Sequence, residues 1–173
     1  MLNFGILGVY LGPLEPRHNI QLQLWRNNYD IWKWCRQNDL ISDFDQMDWF
    51  ERQYKDPTIK MYGVFNSEET LVGACGLTSI DLINRRAEFS LYIGPEHQGL
   101  GYGPRALKIL LLHAFRNLGL NQVWGETYEG NPASTMFESL GFKKDGTRRK
   151  FYFRDGEFID CHLYSIFESE LVL

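Results

Sequence analysis

Apolar residues in the first third of the chain recur every three to four positions, which is typical of amphipathic helices. A short strand is predicted in GILGVYLGPL, ending near Pro13, and an apolar stripe then predicts a helix from Ile20 to about Arg36. A second helix is predicted before Asp56, where Pro57 ends the run, with Ser42 or Asp45 as its cap. The apolar positions of this second helix are Met47, Phe50 and Tyr54.

In the middle of the chain the apolar period changes to two, which is typical of strands. IKMYGVF and LVGACGLTSI, joined by the turn NSEET, predict a hairpin, and RRAEFSLYIG adds a third antiparallel strand. A strongly patterned helix is predicted over Pro104 to Leu118, with Gly119 as its stop. The strand NQVWGETY, a helix between Asn131 and Gly141, and two strands joined at Arg154-Asp155-Gly156 complete the order of elements.

Composition indicates one ordinary folded domain. The chain has 173 residues, 44% of them hydrophobic, and neither a repeat nor a linker interrupts it, so a single domain over 1–173 is predicted. A formal net charge of −4 argues against a broad nucleic-acid surface and suits a cationic small substrate. Without a membrane-length apolar run or signal-peptide pattern, the prediction is a cytoplasmic protein that binds no membrane.

The cysteines give no sign of a disulfide framework or a metal site. Cys35, Cys75 and Cys161 are odd in number and far apart, and no pair has the spacing of metal ligands. They are predicted to be buried apolar thiols, and no metal is expected.

Three glycines fall within five residues where a predicted strand gives way to the best helix. Gly99, Gly101 and Gly103 stand in HQGLGYGPRAL without an acidic neighbour. The first N–H groups of a helix have no internal partner, so this stretch predicts an anion site. A dinucleotide fingerprint would need G-x-G-x-x-G and a P-loop would need Gly-Lys-Ser/Thr, and neither is present. A purely structural glycine turn stays open at this point.

The stretch Gln98–Gly103, with the pattern Q-x-x-G-x-G, resembles the acetyl-CoA pyrophosphate loop of the GNAT superfamily of N-acetyltransferases. The order of elements is similar to that fold from end to end. NRRAEFSLYIG, NPASTMFESLGF and DGEFIDCHLYSI resemble the spermidine and ribosomal-protein acetyltransferase branch. The resemblance implies an α+β (mixed α/β) fold, in which about four helices flank a twisted, mostly antiparallel sheet of about six to seven strands, splayed at a β-bulge.

The resemblance also implies the residues that hold acetyl-CoA as co-substrate. Backbone amides would bind the pyrophosphate, from Gln98, Gly99, Leu100, Gly101, Tyr102 and Gly103. The exposed strand edge before the loop would pair with the pantetheine arm, through Leu91, Tyr92 and Ile93. Asn131 resembles a pantetheine-contacting asparagine, although an ordinary helix cap is an equal alternative, and Arg105 could reach a phosphate or lie in solvent.

Glu88 is the preferred candidate for the base that deprotonates the attacking amine. Strand alternation places Glu88, Ser90 and Tyr92 on one face, toward the expected thioester. A salt bridge to Arg85 or Arg86 is the structural alternative for this carboxylate, and Glu126 is the second candidate base.

The acid that would protonate the leaving thiolate is where the chain departs from the family pattern. Many relatives have a tyrosine at the position of Phe137, facing the CoA sulfur, and phenylalanine cannot donate a proton. The preceding turn is one residue shorter than usual, so Ser134 or Tyr128 is a candidate replacement.

The predicted acceptor is a primary amine of a small molecule: a polyamine, an aminoglycoside or an amino-sugar nucleotide, whose phosphates Thr147–Lys150 could bind. A protein N-terminal amine, or a CoA-binding regulatory domain that has lost catalysis, are the alternatives. The apolar end LYSIFESELVL leaves a homodimer open, as in many relatives.

Overall fold

A seven-stranded sheet runs through the molecule, in the order β1-β2-β3-β4-β5-β7-β6. The computed structural model describes residues 1–172, so Leu173, the last residue of the predicted domain and terminal segment, lies outside the described residues. The strands are β1 Val9–Gly12, β2 Lys60–Asn66, β3 Leu71–Asp81, β4 Arg86–Ile93, β5 Gln122–Tyr128, β6 Lys143–Arg154 and β7 Glu157–Ile166. The helices are α1 Asn19–Asn27, α2 Tyr29–Trp32, α3 Asp43–Lys55, α4 Tyr102–Arg116 and α5 Ala133–Ser139.

The sheet is antiparallel at every strand pair except β4–β5, which is parallel. This confirms the predicted meander, the closing hairpin and the mixed α/β class. A register shift does occur in the β3–β4 pair, but it lies between Thr78 and Asp81 of β3, at the far end of β4 from the glycine loop. The sheet therefore splays where β4 and β5 separate, and β4 itself contains no bulge.

Two hydrophobic cores lie on the two faces of the sheet. The larger one packs α4 and α5 against the face that carries Phe89, and α4 alone buries eight of its side chains there. The smaller one joins α1, α2 and α3 to the other face and consists of Leu14, Leu22, Trp25, Ile31, Phe50 and Ala74. Because side chains alternate along a strand, neighbouring residues of β4 belong to different cores.

The predicted helix from Ile20 to Arg36 is wrong in one respect, because the chain forms two helices there. Asn28 is extended, with ψ 131°, and its side chain accepts a hydrogen bond from the N–H of Asp30 at 2.9 Å. Asparagine is a strong helix cap, so it starts α2 afresh and turns it away from α1. This break directs the residues after α2 across the sheet.

Ser42, not Asp45, caps α3. The Ser42 Oγ accepts from the Asp45 N–H at 3.2 Å, and the Asp45 carboxylate accepts from the Ser42 N–H at 3.0 Å. The predicted apolar face is partly wrong: Phe50 is buried, whereas Met47 and Tyr54 are mainly exposed. The inward positions beside Phe50 are the glutamines at 46 and 53.

No helix among residues 1–172 is long and apolar enough to cross a bilayer. The three cysteines are free thiols, and Cys75 and Cys161 are buried as expected, but Cys35 is only half-buried. It lies three residues after the end of α2 and lines the cavity of the candidate active site.

Candidate active site

The site begins where β4 and β5 separate. Their pairing covers Arg86–Gln122, Ala87–Val123 and Glu88–Trp124, and then stops. On its other side β4 stays paired with β3 as far as Ile93. The five residues of β4 beyond Glu88 therefore have a free edge that faces β5 across a gap.

Alternate residues of β4 form backbone hydrogen bonds with β3, and this alternation shows which backbone groups face the gap instead. The N–H of Gly94 donates to the Val72 carbonyl at 2.9 Å, which puts the even-numbered residues of β4 in hydrogen-bonded pairs with β3. The backbone groups of Phe89, Leu91 and Ile93 thus point into the gap, whereas those of Tyr92 are used by β3. The Ile93 carbonyl accepts from the Gln98 side chain at 3.1 Å, so Gln98 ties the loop to the strand end.

A cavity of about 420 Å³ fills the gap and is lined by residues from both faces of the sheet. On the larger-core face its wall comes from the glycine loop and α5, including Gly103, Met136 and Phe137. On the opposite face its wall comes from α1, α2, the segment that follows α2 and the strand positions around Glu88, including Arg26 and Trp34. The cavity therefore has walls from both faces of the sheet, and two molecules can meet in it.

The glycine loop leads directly into the first turn of α4. Gly99 and Gly101 both have φ of +76°, a region that favours glycine, and no atom lies within 4 Å of where a Gly99 Cβ would stand. Gly101 is the N-cap of a 15-residue helix and has no side chain to occupy the first N–H groups. The Arg105 guanidinium lies 3.4 Å from the position of a Gly101 Cβ, so it adds a positive charge. Together these groups fit a phosphate.

Glu88 lies at the point of separation and is almost completely buried, with 5% of its surface exposed. Its carboxylate contacts the Arg36 guanidinium, with a separation of 2.7 Å between Oε1 and an Nη atom. Burial raises the pKa of Glu88 and nearby Glu126 adds to the rise, while Arg36 opposes both. A buried carboxylate with a raised pKa is a stronger base than an exposed one.

The structural alternative for Glu88, a salt bridge to Arg85 or Arg86, is wrong. Arg86 pairs with Asp81 at 3.5 Å, and the Arg85 Nε donates to the Gly119 carbonyl at 2.6 Å. Both arginines stand at the opposite end of β4 from the cavity. The ion-pair partner of Glu88 is Arg36 instead, and no local sequence pattern indicated this residue.

Glu126, the second candidate base, is also buried but is more heavily occupied. Arg36 lies 3.3 Å from one carboxylate oxygen and Arg148 lies 3.1 Å from the other, and the Tyr152 hydroxyl donates to the first. Three donors therefore already occupy this carboxylate. Glu88, whose only ion-pair partner is Arg36 among residues 1–172, is the freer carboxylate of the two.

The comparison with known families decides what this arrangement is. Residues 9–143 match the model described as the acetyltransferase (GNAT) domain. The chain belongs to the GNAT acetyltransferases. It is an acetyl-CoA-dependent N-acetyltransferase. Three elements of this enzyme fit acetyl-CoA as co-substrate: the fork, which is the gap between β4 and β5 beyond Glu88, the glycine loop and the N-terminus of α4.

Individual relatives agree with the predicted branch of the family. The chain is 27% identical over 161 residues to spermidine N(1)-acetyltransferase of Vibrio cholerae, covering 92% of this chain and 90% of that protein. The crystal structure of the Vibrio cholerae spermidine N-acetyltransferase in complex with CoA and spermine superposes with a TM-score of 0.90 at 25% identity, covering 94% of this chain and 97% of that one.

Two further relatives come from Bacillus. A putative ribosomal N-acetyltransferase, YdaF of Bacillus subtilis, is 32% identical and covers 71% of this chain and 67% of that protein. The uncharacterized N-acetyltransferase p20 of Bacillus licheniformis is 30% identical over 62% of this chain, and the match spans 61% of that protein.

The structure divides the predicted cofactor residues of the acetyltransferase into two groups. One group lines the cavity: Leu91, Tyr92, Ile93, Gln98, Gly103, Asn131 and Phe137. The other group forms the loop outside it, at the start of α4: Gly99, Leu100, Gly101 and Tyr102. This division matches a ligand whose phosphates lie at the helix and whose arm enters the gap. The Asn131 side chain also accepts from the Ala133 N–H at 2.9 Å, so it caps the start of α5.

The two candidate replacements for the missing acid are both engaged elsewhere. The Tyr128 hydroxyl donates to the Cys35 carbonyl at 3.1 Å, and the Ser134 hydroxyl donates to the Asn131 carbonyl at 3.0 Å. Tyr128 still lines the cavity, whereas Ser134 is not among the residues that line it. Phe137 fills the family position with an aromatic ring packed on Phe89 at 5.0 Å between centroids.

One hydroxyl in the cavity wall has no partner among residues 1–172. Thr127, 5% exposed, buries its Oγ1 without a hydrogen bond. It follows Glu126 on β5 and lies on the other face of the strand, the face of Phe137. Strand alternation alone could have pointed to it, whereas Arg36 and Arg148 gave no such signal.

Proposed function

We propose that this acetyltransferase moves the acetyl group of acetyl-CoA to a primary amine of a small molecule, by direct attack in a ternary complex. The observation that carries this proposal is the fork itself. A free strand edge, a buried carboxylate where the strands separate and one cavity lined from both faces of the sheet support a reaction of two substrates at Glu88.

Glu88 acts as the base in this proposal. An ammonium has no lone pair, so the acceptor must lose a proton before its nitrogen attacks the thioester carbon. The first proton passes to the Glu88 carboxylate, and the neutral amine then forms the C–N bond. As the C–S bond breaks, the nitrogen loses its second proton to the departing CoA thiolate, which gives the amide and CoA thiol. The acceptor ammonium displaces Arg36 from Glu88, because both cations compete for the same carboxylate.

Backbone groups of β4 supply the remaining contacts. The N–H groups of Leu91 and Ile93 face the gap, so either can donate to the thioester oxygen as negative charge develops there. The amide of Tyr92 is paired with β3 and is unsuited to this task. A CoA thiolate is a tolerable leaving group, with an ordinary thiol pKa of about 8.5, so catalysis proceeds without a tyrosine at Phe137.

Relatives support a small amine as the acceptor. One of them is a spermidine acetyltransferase whose solved structure holds CoA and spermine. A polyamine, an aminoglycoside and an amino-sugar nucleotide all present a primary amine. The similarity to a putative ribosomal acetyltransferase keeps a protein N-terminal amine as a substrate to be tested.

The test is thiol release from acetyl-CoA with a panel of these amines, including a peptide with a free N-terminus. We expect saturable release with at least one small amine, and loss of release in Gly101→Glu, whose carboxylate would occupy the α4 N-terminus. Turnover only on the peptide would replace the small-molecule acceptor. Thermal stabilisation by acetyl-CoA without turnover on any amine would indicate the alternative, a regulatory CoA-binding domain.

A further inference from the structure

The carboxylates on the acceptor side of the cavity are already matched by cations. Three acidic side chains line the cavity, and each has a basic partner: Asp30 with Lys33 at 2.8 Å, Glu88 with Arg36 at 2.7 Å, and Glu126 with Arg36 at 3.3 Å and Arg148 at 3.1 Å. A polycation entering here would have to replace several of these pairs. The site is thus less acidic than its carboxylates suggest.

Arg26 is the cation of this wall that has no acidic partner. It projects from α1 over the ring of Tyr92, 5.5 Å from the centroid, and donates to the Gln37 side-chain oxygen at 2.7 Å. Its Nε is buried without a hydrogen bond, and among residues 1–172 no carboxylate lies within 4.0 Å of its guanidinium. A guanidinium held this way is poised for a carboxylate or phosphate.

The acid that lines the neighbouring cavity does not pair with Arg26. Asp45 and Arg26 both line a smaller cavity of about 230 Å³. The Asp45 carboxylate accepts hydrogen bonds from the N–H and the hydroxyl of Ser42, as the N3 residue of the capping box at the start of α3. Arg26 thus remains the unmatched charge between the two cavities.

The position of Arg26 also limits where an anion would sit. Tyr92, which Arg26 covers, is four residues from Glu88 on the same face of β4, so the Cα atoms of these two residues are about 13 Å apart along the strand. An anionic group bound by Arg26 would therefore be separated by several bonds from the acceptor amine that reaches Glu88. It would not be attached to the carbon that bears the amine.

We propose that the acceptor carries an anionic group, a phosphate or a carboxylate, remote from its reacting amine, and that Arg26 binds this group. This inference rests on the proposed amine acetylation and narrows its substrate class. A phosphorylated amino sugar and an ω-amino acid share the required chemistry. Polyamines, which carry only positive charge, lack it.

Matched pairs of amines test the proposal by calorimetric titration of the protein saturated with CoA. Glucosamine 6-phosphate is compared with glucosamine, 6-aminohexanoate with its amide, and spermidine serves as the polycation. We expect the member of at least one pair that carries the anionic group to bind at least tenfold more tightly than its partner without that group and than spermidine. The pair that shows the preference distinguishes phosphate from carboxylate.

Variants assign the preference to Arg26. Arg26→Gln is expected to remove the difference within the pair while CoA affinity stays within twofold, and Arg26→Lys to retain part of it. Arg52→Gln, which removes an exposed arginine of α3 outside both cavities, is the matched charge control and should change nothing. Equal binding within both pairs, no measurable binding of either pair, tighter binding of spermidine, or a preference that survives Arg26→Gln would overturn the proposal.

The comparison within the wild-type protein needs no variant, so it holds even if Arg26→Gln fails to fold. Binding and turnover also separate the two proposals. Spermidine acetylation without any anionic preference would remove this inference and keep the proposed function. Anionic binding without thiol release would support the inference while contradicting the transfer reaction.

Discussion

Replacing Glu88 with glutamine tests the proposed base with the smallest change of shape. The amide keeps the size of the side chain and can still accept a hydrogen bond from Arg36, but it cannot take a proton from the acceptor. Proton transfer by a positioned side chain contributes about 10²–10⁴-fold to the rate. We therefore expect kcat/KM for the best amine to fall by at least about 100-fold, equal to about 3 kcal/mol of activation free energy.

The pH profile gives this prediction its sharpest form. Burial raises the pKa of Glu88, so in the wild type kcat/KM should fall as the pH drops through that raised value, and the fall should begin above the ordinary range of an exposed glutamate. The Glu88→Gln variant should have lost this acidic limb. The assay is thiol release measured from about pH 5 to about pH 9, over the range where a glutamate base of raised pKa titrates.

Folding of the variant is checked separately. A carboxyl group with a raised folded-state pKa contributes stability that is complete below its unfolded pKa and is lost as the pH rises through the folded pKa. Wild-type stability should therefore carry a penalty at neutral pH that glutamine lacks, so the Tm of Glu88→Gln should not fall. An unchanged rate and an unchanged acidic limb would refute the assignment. A larger loss in Glu126→Gln would move the base to Glu126.

Three further changes probe other parts of the account. Arg36→Gln removes the cation that opposes the raised pKa of Glu88, so the acidic limb of kcat/KM should move to higher pH; a limb that stays in place would show that Arg36 does not act on Glu88. Gly141→Ala forces a Cβ onto a residue with φ of +101° and against the Glu170 carbonyl oxygen, so chemical denaturation should show a loss of at least about 2 kcal/mol. Ser42→Ala removes the cap of α3, so the same assay should show a loss of about 1 kcal/mol, and the Tm of the free enzyme should fall by a few degrees. An unchanged stability in Gly141→Ala would contradict the close contact with the Glu170 carbonyl, and an unchanged stability in Ser42→Ala would contradict the cap.

Most of the fold could be predicted from local patterns, because periodicity and turn chemistry are properties of short stretches. The hairpin at Asp155-Gly156 and the helix that follows the glycine loop are examples. The break at Asn28 was missed because the apolar stripe runs on from α1 into α2, and the stripe alone does not reveal a polar side chain that caps a new helix. The predicted buried face of α3 was partly wrong for a related reason. Two polar residues, Gln46 and Gln53, are buried there, and an apolar pattern does not indicate them.

The site was predictable only where it is continuous in sequence. The loop Gln98–Gly103 and the strand that leads into it belong to one stretch, so the spacing of glycines and the alternation around Glu88 both pointed to it. Arg36 reaches Glu88 from a segment far away in the chain, and its position depends on the Asn28 break. Arg26 is equally remote from Tyr92. Pairings of this kind follow from tertiary packing, which a local pattern does not encode.

A crystal structure of the protein with CoA is the most direct test of the central claim, that the fork between β4 and β5 brings acetyl-CoA and the acceptor together at Glu88. We expect the pyrophosphate on the amides at the start of α4 and pantetheine hydrogen bonds to the backbone of Leu91 and Ile93. We also expect the sulfur in the cavity, within reach of an amine beside Glu88. CoA bound outside the gap, or a sulfur on the side of the sheet away from Glu88, would contradict it.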